Sequence, residues 1–221
     1  MTQRTNARVA GFAFLFYIAV GITQMVLSGP THAEGTVARL ARIAEHASHV
    51  RVNIVLSLVI CVTAVVLATA LYGITREVDG GLAVLGFAFR LGEGLLAALT
   101  PLPALGLVWL ATEKEPTATT SAIAELLLNV QGWSVNLIAT LFAFGSTVFS
   151  WLLLRGRMIP VGLAWLGVVA SVLLAVGLPL QLVEVLEGKV AQLLWLPMAA
   201  FEIPLGFWLL MKGVRPASAR A

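Results

Sequence analysis

Three ionisable residues stand in apolar surroundings. Arg90 and Glu93 fall in the stretch from Gly81 to about Ala111, and Glu202 falls in the stretch from Val190 to Met211. An arginine at mid-bilayer costs ~2.5–3.5 kcal/mol on insertion scales, and such residues face a bundle interior and take partners. Arg90 and Glu93 are three apart, hence neighbours on one helical face. At a rise of about 1.5 Å per residue, Arg90 lies roughly 13–14 Å beyond Gly81, Glu202 about 15 Å before Lys212, and Glu93 roughly 18 Å deep. These depths predict a buried cluster in which Arg90 is shared between Glu93 and Glu202. Pro204 adds to it by freeing the carbonyl of Ala200. Two chemistries are open. The cluster is either a proton or substrate site at the membrane centre, or a clasp that fixes how two helices dock. One guanidinium for two carboxylates leaves one acid poorly neutralised, which keeps a proton relay open.

A second, polar set falls near the opposite ends of the spans: Gln24, Asn53, Gln131, Asn136, Gln181, Glu184 and Gln192. Gln24, Asn53, Asn136, Gln181 and Glu184 are the expected lining of an outward-facing cavity, and Asn136 is its best member. The plainer reading is hydrogen bonding at helix ends. His46 and His49 share a helical face beside Glu45, and His32 stands apart. Zinc takes about four ligands in close geometry, so this pair is a weak candidate and no metal is expected. A pH-sensitive outer surface is an equal reading of the pair. The one cysteine, Cys61, excludes an intramolecular disulfide and reads as a buried small hydrophobe. No zinc-protease helix, nucleophile elbow or Walker loop occurs, and Gly92-Glu-Gly94 belongs to a helix. No catalytic residue and no cofactor is therefore expected.

The elements that must position these residues are apolar helices. The chain is 59% hydrophobic and 11% charged, whereas soluble domains carry about 25% charged residues. Its net charge of +3 comes from scattered basic residues without interleaved aromatics, which argues against nucleic acid. Six stretches are long enough to span a bilayer, at about 9–27, 52–74, 81–111, 133–154, 159–186 and 190–211. The first follows Arg4 and Arg8 and exceeds a signal-peptide core, so it reads as an uncleaved helix. The third and fifth exceed the minimum and are expected to tilt, kink or protrude, with Pro101, Pro103 and Pro179 inside them. With the N-terminus in the cytoplasm, the inner face carries Arg4, Arg8, Arg76, Arg155, Arg157, Lys212, Arg215 and Arg220. The outer face then carries Arg39, Arg42, Arg51, Lys114 and Lys189, a bias in the right direction. Glu34, Glu45, Glu113, Glu115, Glu125 and Glu187 fall outside, against Glu77 and Asp79 inside.

The connection from Pro30 to Val50 predicts an amphipathic helix on the outer surface or an extension of the second span. Thr31 and Glu34 have capping-box spacing, and Val37, Leu40, Ala41, Ala44 and Ala47 form its apolar stripe. Glu113 to Gly132 reads as a lead-in to the fourth helix. The short connections Thr75–Gly80 and Arg155–Met158 make the second and third helices neighbours, and likewise the fourth and fifth. Gly167, Ser171 and Ala175, and Ala139 and Ala143, have the spacing of close helix packing. The tail from Gly213 is short and basic.

Arg8-Val-Ala-Gly, Phe89-Arg-Leu-Gly-Glu93 and Glu202-Ile-Pro-Leu-Gly-Phe-Trp-Leu-Leu-Met-Lys-Gly213 together resemble the bacterial domain of unknown function 4386 family over nearly the whole chain. The resemblance implies a six-helix protein of the bacterial cytoplasmic membrane and no established activity. The expectation is thus an all-α single transmembrane domain of six spans plus an extracytoplasmic amphipathic helix, with both termini cytoplasmic. Its partners are the lipid bilayer and a small-molecule or lipid ligand, and its leading function is to bind or move that ligand through an outward-facing cavity. An accessory or signalling membrane subunit is the alternative, and an intramembrane enzyme the third.

Overall fold

The computed structural model describes residues 2–113, 117–186, 188 and 193–215. Lys114, Glu115, Glu187, Lys189, Gln192 and Arg220, and the predicted start of the sixth span at Val190, lie outside the described residues. The chain is all-α. In order, the helices are α1 Gln3–Ser28, α2 Thr36–Glu45, α3 Ala47–Thr75 and α4 Gly80–Ala97. They continue with α5 Pro101–Glu113, α6 Ala118–Arg155, α7 Val161–Leu182 and α8 Trp195–Met211. Polar side chains cap three of them, each taking up a free amide of the first turn. Thr2 accepts from the amide of Thr5 at 3.2 Å, Asp79 from Leu82 at 3.1 Å and Thr117 from Thr120 at 3.1 Å.

Five segments are long and apolar enough to cross a membrane: Gln3–Thr31, Ala47–Thr75, Gly80–Thr112, Ala118–Arg155 and Val161–Leu182. Trp195–Met211 is apolar and 17 residues long, which at 1.5 Å per residue is about 26 Å against a hydrocarbon core of about 30 Å. By length and composition this is a multi-pass membrane protein with five clear candidate spans and one shorter apolar helix. Large apolar side chains cover the outside, among them the exposed Phe12, Val62, Leu95, Val169 and Phe207. A lipid environment gives them the apolar surroundings that water would not.

α1, α3, α4, α6, α7 and α8 pack in that order as a closed ring, with α8 returning to α1. The adjacency expected from the short connections holds: α3 lies beside α4, and α6 beside α7. The seam between α1 and α8 is tight at Gly11, where a Cβ would sit 2.5 Å from the amide nitrogen of Leu210 and 2.6 Å from the carbonyl oxygen of Gly206. Only a hydrogen fits there, as close helix packing in membranes demands. Gly167 of α7 likewise makes room for the ring of Phe201 on α8.

One end of the ring gathers the short connections and is called the loop end. There the side-chain amide of Gln3 donates to the carbonyl of Ile74 at 3.4 Å, and the Arg155 guanidinium meets Asp79 at 2.9 Å. The amide of Arg215 donates to the carbonyl of Met158 at 3.0 Å. The backbone amide of Leu82 and the Arg155 guanidinium hold the Asp79 carboxyl below the usual carboxylate range. The main apolar core fills this half, with Ala7, Ala10, Phe14, Leu67, Leu71, Ile74, Leu152 and Leu153 buried.

Several expectations are corrected. The predicted third span is broken at residues 98–100: Pro101 and Pro103 open a new helix, where their missing amides cost nothing, instead of kinking a continuous one. The capping box at Thr31 and Glu34 does not form. Thr31 belongs to a short 3-10 turn, Gly29–Thr31, and donates to the carbonyl of Ser28 at 2.8 Å. α2 begins instead after Gly35, whose φ of +83° favours glycine, and no side chain caps it. Of the predicted stripe of α2, Leu40 is buried and Ala47 packs beside it, whereas Val37 and Ala41 are exposed and the unpredicted Ile43 completes the buried face. That face packs on Leu107, Val108 and Leu110 of α5 and Ala124 of α6, forming a second, smaller core at the far end. The fifth helix stops at Leu182, and turns carry the chain through Leu186. The fourth extends back to Ala118, so its lead-in is one continuous helix with the span.

Candidate functional site

Away from the loop end the ring is hollow. A cavity of about 780 Å³ runs from the middle of the bundle to the end where α1 gives way to α2. Tyr17, Glu93, Phe142, Trp195 and Glu202 line its depth, and Ser28, His32 and Arg39 line its far end. Its walls between are mostly apolar, with Ile18, Ile54, Leu107 and Val135 among them. Size and character match a small-molecule site, typically about 300–1,000 Å³ and apolar with a few placed polar groups.

The floor is built around Arg90, which is 1% exposed, and Glu93, which is 0% exposed. One turn of α4 brings them together, with Arg90 Nη1 2.9 Å from Glu93 Oε2. The approach is that of an ion pair and not of an aligned hydrogen bond. Among the described residues none of the three guanidinium nitrogens makes a hydrogen bond. The guanidinium lies over the ring of Phe142 at 4.8 Å and near that of Tyr17 at 5.9 Å, so aromatic faces take up part of its charge. Tyr17 Oη donates to the other Glu93 oxygen at 2.8 Å, giving that carboxylate two partners from two helices. Gly145 makes this placement possible, since a Cβ there would lie 2.8 Å from Cγ of Arg90. On the loop side of Arg90, among Phe14, Leu71, Ser146 and Phe149, free space shrinks to about 10 Å³. The cavity therefore ends at this layer.

Glu202 stands apart from the pair. It is 8% exposed and lines the cavity, but no ion pair joins it to Arg90 and no hydrogen bond holds it among the described residues. Arg90 thus makes one ion pair within 4 Å, to Glu93, while Glu202 faces the same cavity within electrostatic reach of the guanidinium but without a direct ion pair to it.

The second predicted set divides. Gln24 and Asn53 line the cavity and also tie α1 to α3. The Gln24 amide donates to the carbonyl of Asn53 at 3.1 Å and to Ser57 Oγ at 3.0 Å, while Asn53 donates to Ser28 Oγ at 2.9 Å. Gln131 lines the cavity as well. Asn136 and Gln181 are half-buried and do not line it; the Asn136 Oδ1 and Gln181 Nε2 atoms are buried without hydrogen-bond partners among the described residues. Glu184 is exposed beyond the end of α7, at φ +57°, and does not line it either. The rings of His46 and His49 are 5.4 Å apart. His46 contacts the carbonyl of Arg42 at 3.2 Å, and no group of three metal-binding side chains occurs among the described residues.

Sequence reasoning passed over Tyr17, Phe142, Gly145 and Trp195. Tyr17 was findable: it is one of two tyrosines in the chain, and it lies as far into α1 as Glu93 lies into α4. A phenol at that height needs a partner when buried. Phe142 carries only the signal of a core residue.

The chain belongs to the family described as Domain of unknown function (DUF4386), which it matches over residues 9–213. No curated protein and no solved structure matches it.

Proposed function

We propose that this member of the DUF4386 family is a six-span protein of the bacterial cytoplasmic membrane that binds or moves a small, largely apolar ligand. The termini and the loop end lie in the cytoplasm, and the cavity opens outward beneath the amphipathic α2. The observation that carries the reading is the cavity of about 780 Å³ that descends from His32 and Arg39 to Glu93 and Glu202. Support for the orientation comes from Arg4, Arg8, Arg76, Arg155, Arg157, Lys212 and Arg215, all near the loop end. Support for the bilayer comes from the exposed Trp151 and Trp165, each one turn from the loop-end terminus of its helix, where indoles prefer to sit. With α8 counted as the sixth span, its short length is met by local thinning or by chain before Trp195.

Gly21 supplies the test. It lines the cavity, and a Cβ there would meet nothing within 4 Å. Gly21→Phe starts from that open Cβ position and takes up part of the cavity. Native mass spectrometry of protein extracted gently from its own membrane should show a stoichiometric small molecule that Gly21→Phe loses while remaining folded. An unliganded wild type that also fails to take up a neutral lipophilic dye overturns the reading. A stoichiometric protein partner in place of a ligand would turn it toward an accessory subunit.

A further inference from the structure

The cavity holds a carboxyl group, Glu202, that no ion pair or hydrogen bond secures among the described residues. Glu93 is answered twice, by Arg90 at 2.9 Å and by Tyr17 at 2.8 Å. Glu202, 8% exposed, borders the same space with no ion pair and no hydrogen bond of its own among the described residues, although the Arg90 charge is within electrostatic reach. Arg39 and His32 lie at the far end of the cavity and not in its depth. A carboxylate taken out of water without an ion-pair partner is costly, so a cation in the cavity gains by standing beside it. Two turns back along α8 the same wall is aromatic. Trp195 stacks on Phe142 with ring centroids 6.1 Å apart, and both line the cavity with Tyr17. One face of Phe142 is already covered by the Arg90 guanidinium, whereas the half-exposed indole of Trp195 offers its own face. A buried carboxylate without an ion pair, and an indole two turns away on the same helix wall, in a largely apolar chamber, suit a bulky organic cation long enough to reach both.

Resting on the cavity reading above, we infer that the ligand is a lipophilic monocation, an ammonium or phosphonium with apolar substituents, with Glu202 as its counter-ion and Trp195 as its aromatic wall. The apolar substituents fill the space between Ile18, Ile54 and Val135, and the charge rests at the level of Glu202. Arg39 and His32 at the entrance disfavour polyvalent cations, which cannot spread their charge against apolar walls.

The test uses tetraphenylphosphonium as the cation and triphenylphosphine oxide as a neutral probe of similar aromatic bulk, on full-length protein in lipid nanodiscs. The expected result is tighter binding of the cation by the wild type. Glu202→Gln should weaken that binding by about tenfold or more, as loss of a buried charge partner does, and leave the neutral probe unchanged. Glu202→Asp, which keeps the charge, should retain most of the preference, and a monodisperse Glu202→Gln protein with wild-type neutral binding shows that the fold is intact. Equal binding of the cation by wild type and Glu202→Gln overturns the inference. So does a neutral probe that competes on equal terms, although the cavity reading then survives. Failure of both probes removes the inference and the cavity reading together.

Discussion

Replacing Arg90 by Met removes the guanidinium and keeps most of the apolar stem. The side chain is 1% exposed, its carboxylate partner is 0% exposed, and the charges are 2.9 Å apart. Removing one member of a buried pair costs about 3–5 kcal/mol, chiefly because the other charge is stranded. Two features set where in that range this site falls. Tyr17 keeps its hydrogen bond to Glu93, which softens the loss. The guanidinium also gives up the face of Phe142, worth about 1 kcal/mol or more when desolvated. The expected cost is therefore about 3–4 kcal/mol. Arg90→Met with Glu93→Gln strands no charge and keeps a group for Tyr17, so the double variant should fall within about 1 kcal/mol of wild type. Reversible unfolding in mixed micelles, monitored by tryptophan fluorescence, reads all four corners of the cycle. A single variant that loses less than about 1 kcal/mol, or a double variant as unstable as the sum of its parts, would refute the reasoning. Tyr17→Phe belongs in the same series and should cost less than Arg90→Met, since one hydrogen bond to a charged group contributes about 1.5–3 kcal/mol.

Gly145→Ala puts a methyl 2.8 Å from Cγ of Arg90. The flexible stem must shift, so the expected loss is about 1–3 kcal/mol in the same assay, and it should shrink in the Arg90→Met background. At the loop end, Asp79 caps α4 and meets Arg155 at 2.9 Å, and its carboxyl is held below its ordinary range. A depressed folded-state value means the contribution is present above the unfolded value and fades as pH falls through the folded one. Stability measured against pH should therefore drop on the acid side, and Asp79→Asn should flatten that part of the curve while leaving the cavity's ligand binding unchanged.

Much of this was legible from residue spacing. Arg90 and Glu93 are three apart, and on a helix that alone brings them together. The depth of Glu202 was also readable, but counting residues gives height along a helix and not rotation about it. Height brought Glu202 to the cavity floor, within electrostatic reach of Arg90, but not into a direct ion pair with it. The same limit explains Asn136 and Gln181, which stand near the right level and off the cavity wall. In α2 the apolar stripe was drawn through small residues and passed over Ile43, the side chain that anchors the helix to α5. Its burial depends on α5 packing against α2, after a break at residues 98–100 that hydropathy does not register because both halves are equally apolar. Gly145 had no signal of its own. A glycine among apolar residues marks close approach, but what approaches is known only from the neighbouring helix.

The ring closes between α1 and α8, the first and last described helices, at a seam where Gly11 meets the backbone of Leu210. A chain entering the bilayer in order therefore has no chamber until its late helix arrives. Arg90 travels with its counter-charge three residues behind it on the same helix, so the pair enters already neutralised. Glu202 comes afterwards and alone, and slots into a wall whose other members are in place. The chamber and this carboxyl group are thus completed in a single late event of biogenesis. Before it there is only an open sheaf of helices, and after it a vessel with one acid without an ion pair at its depth.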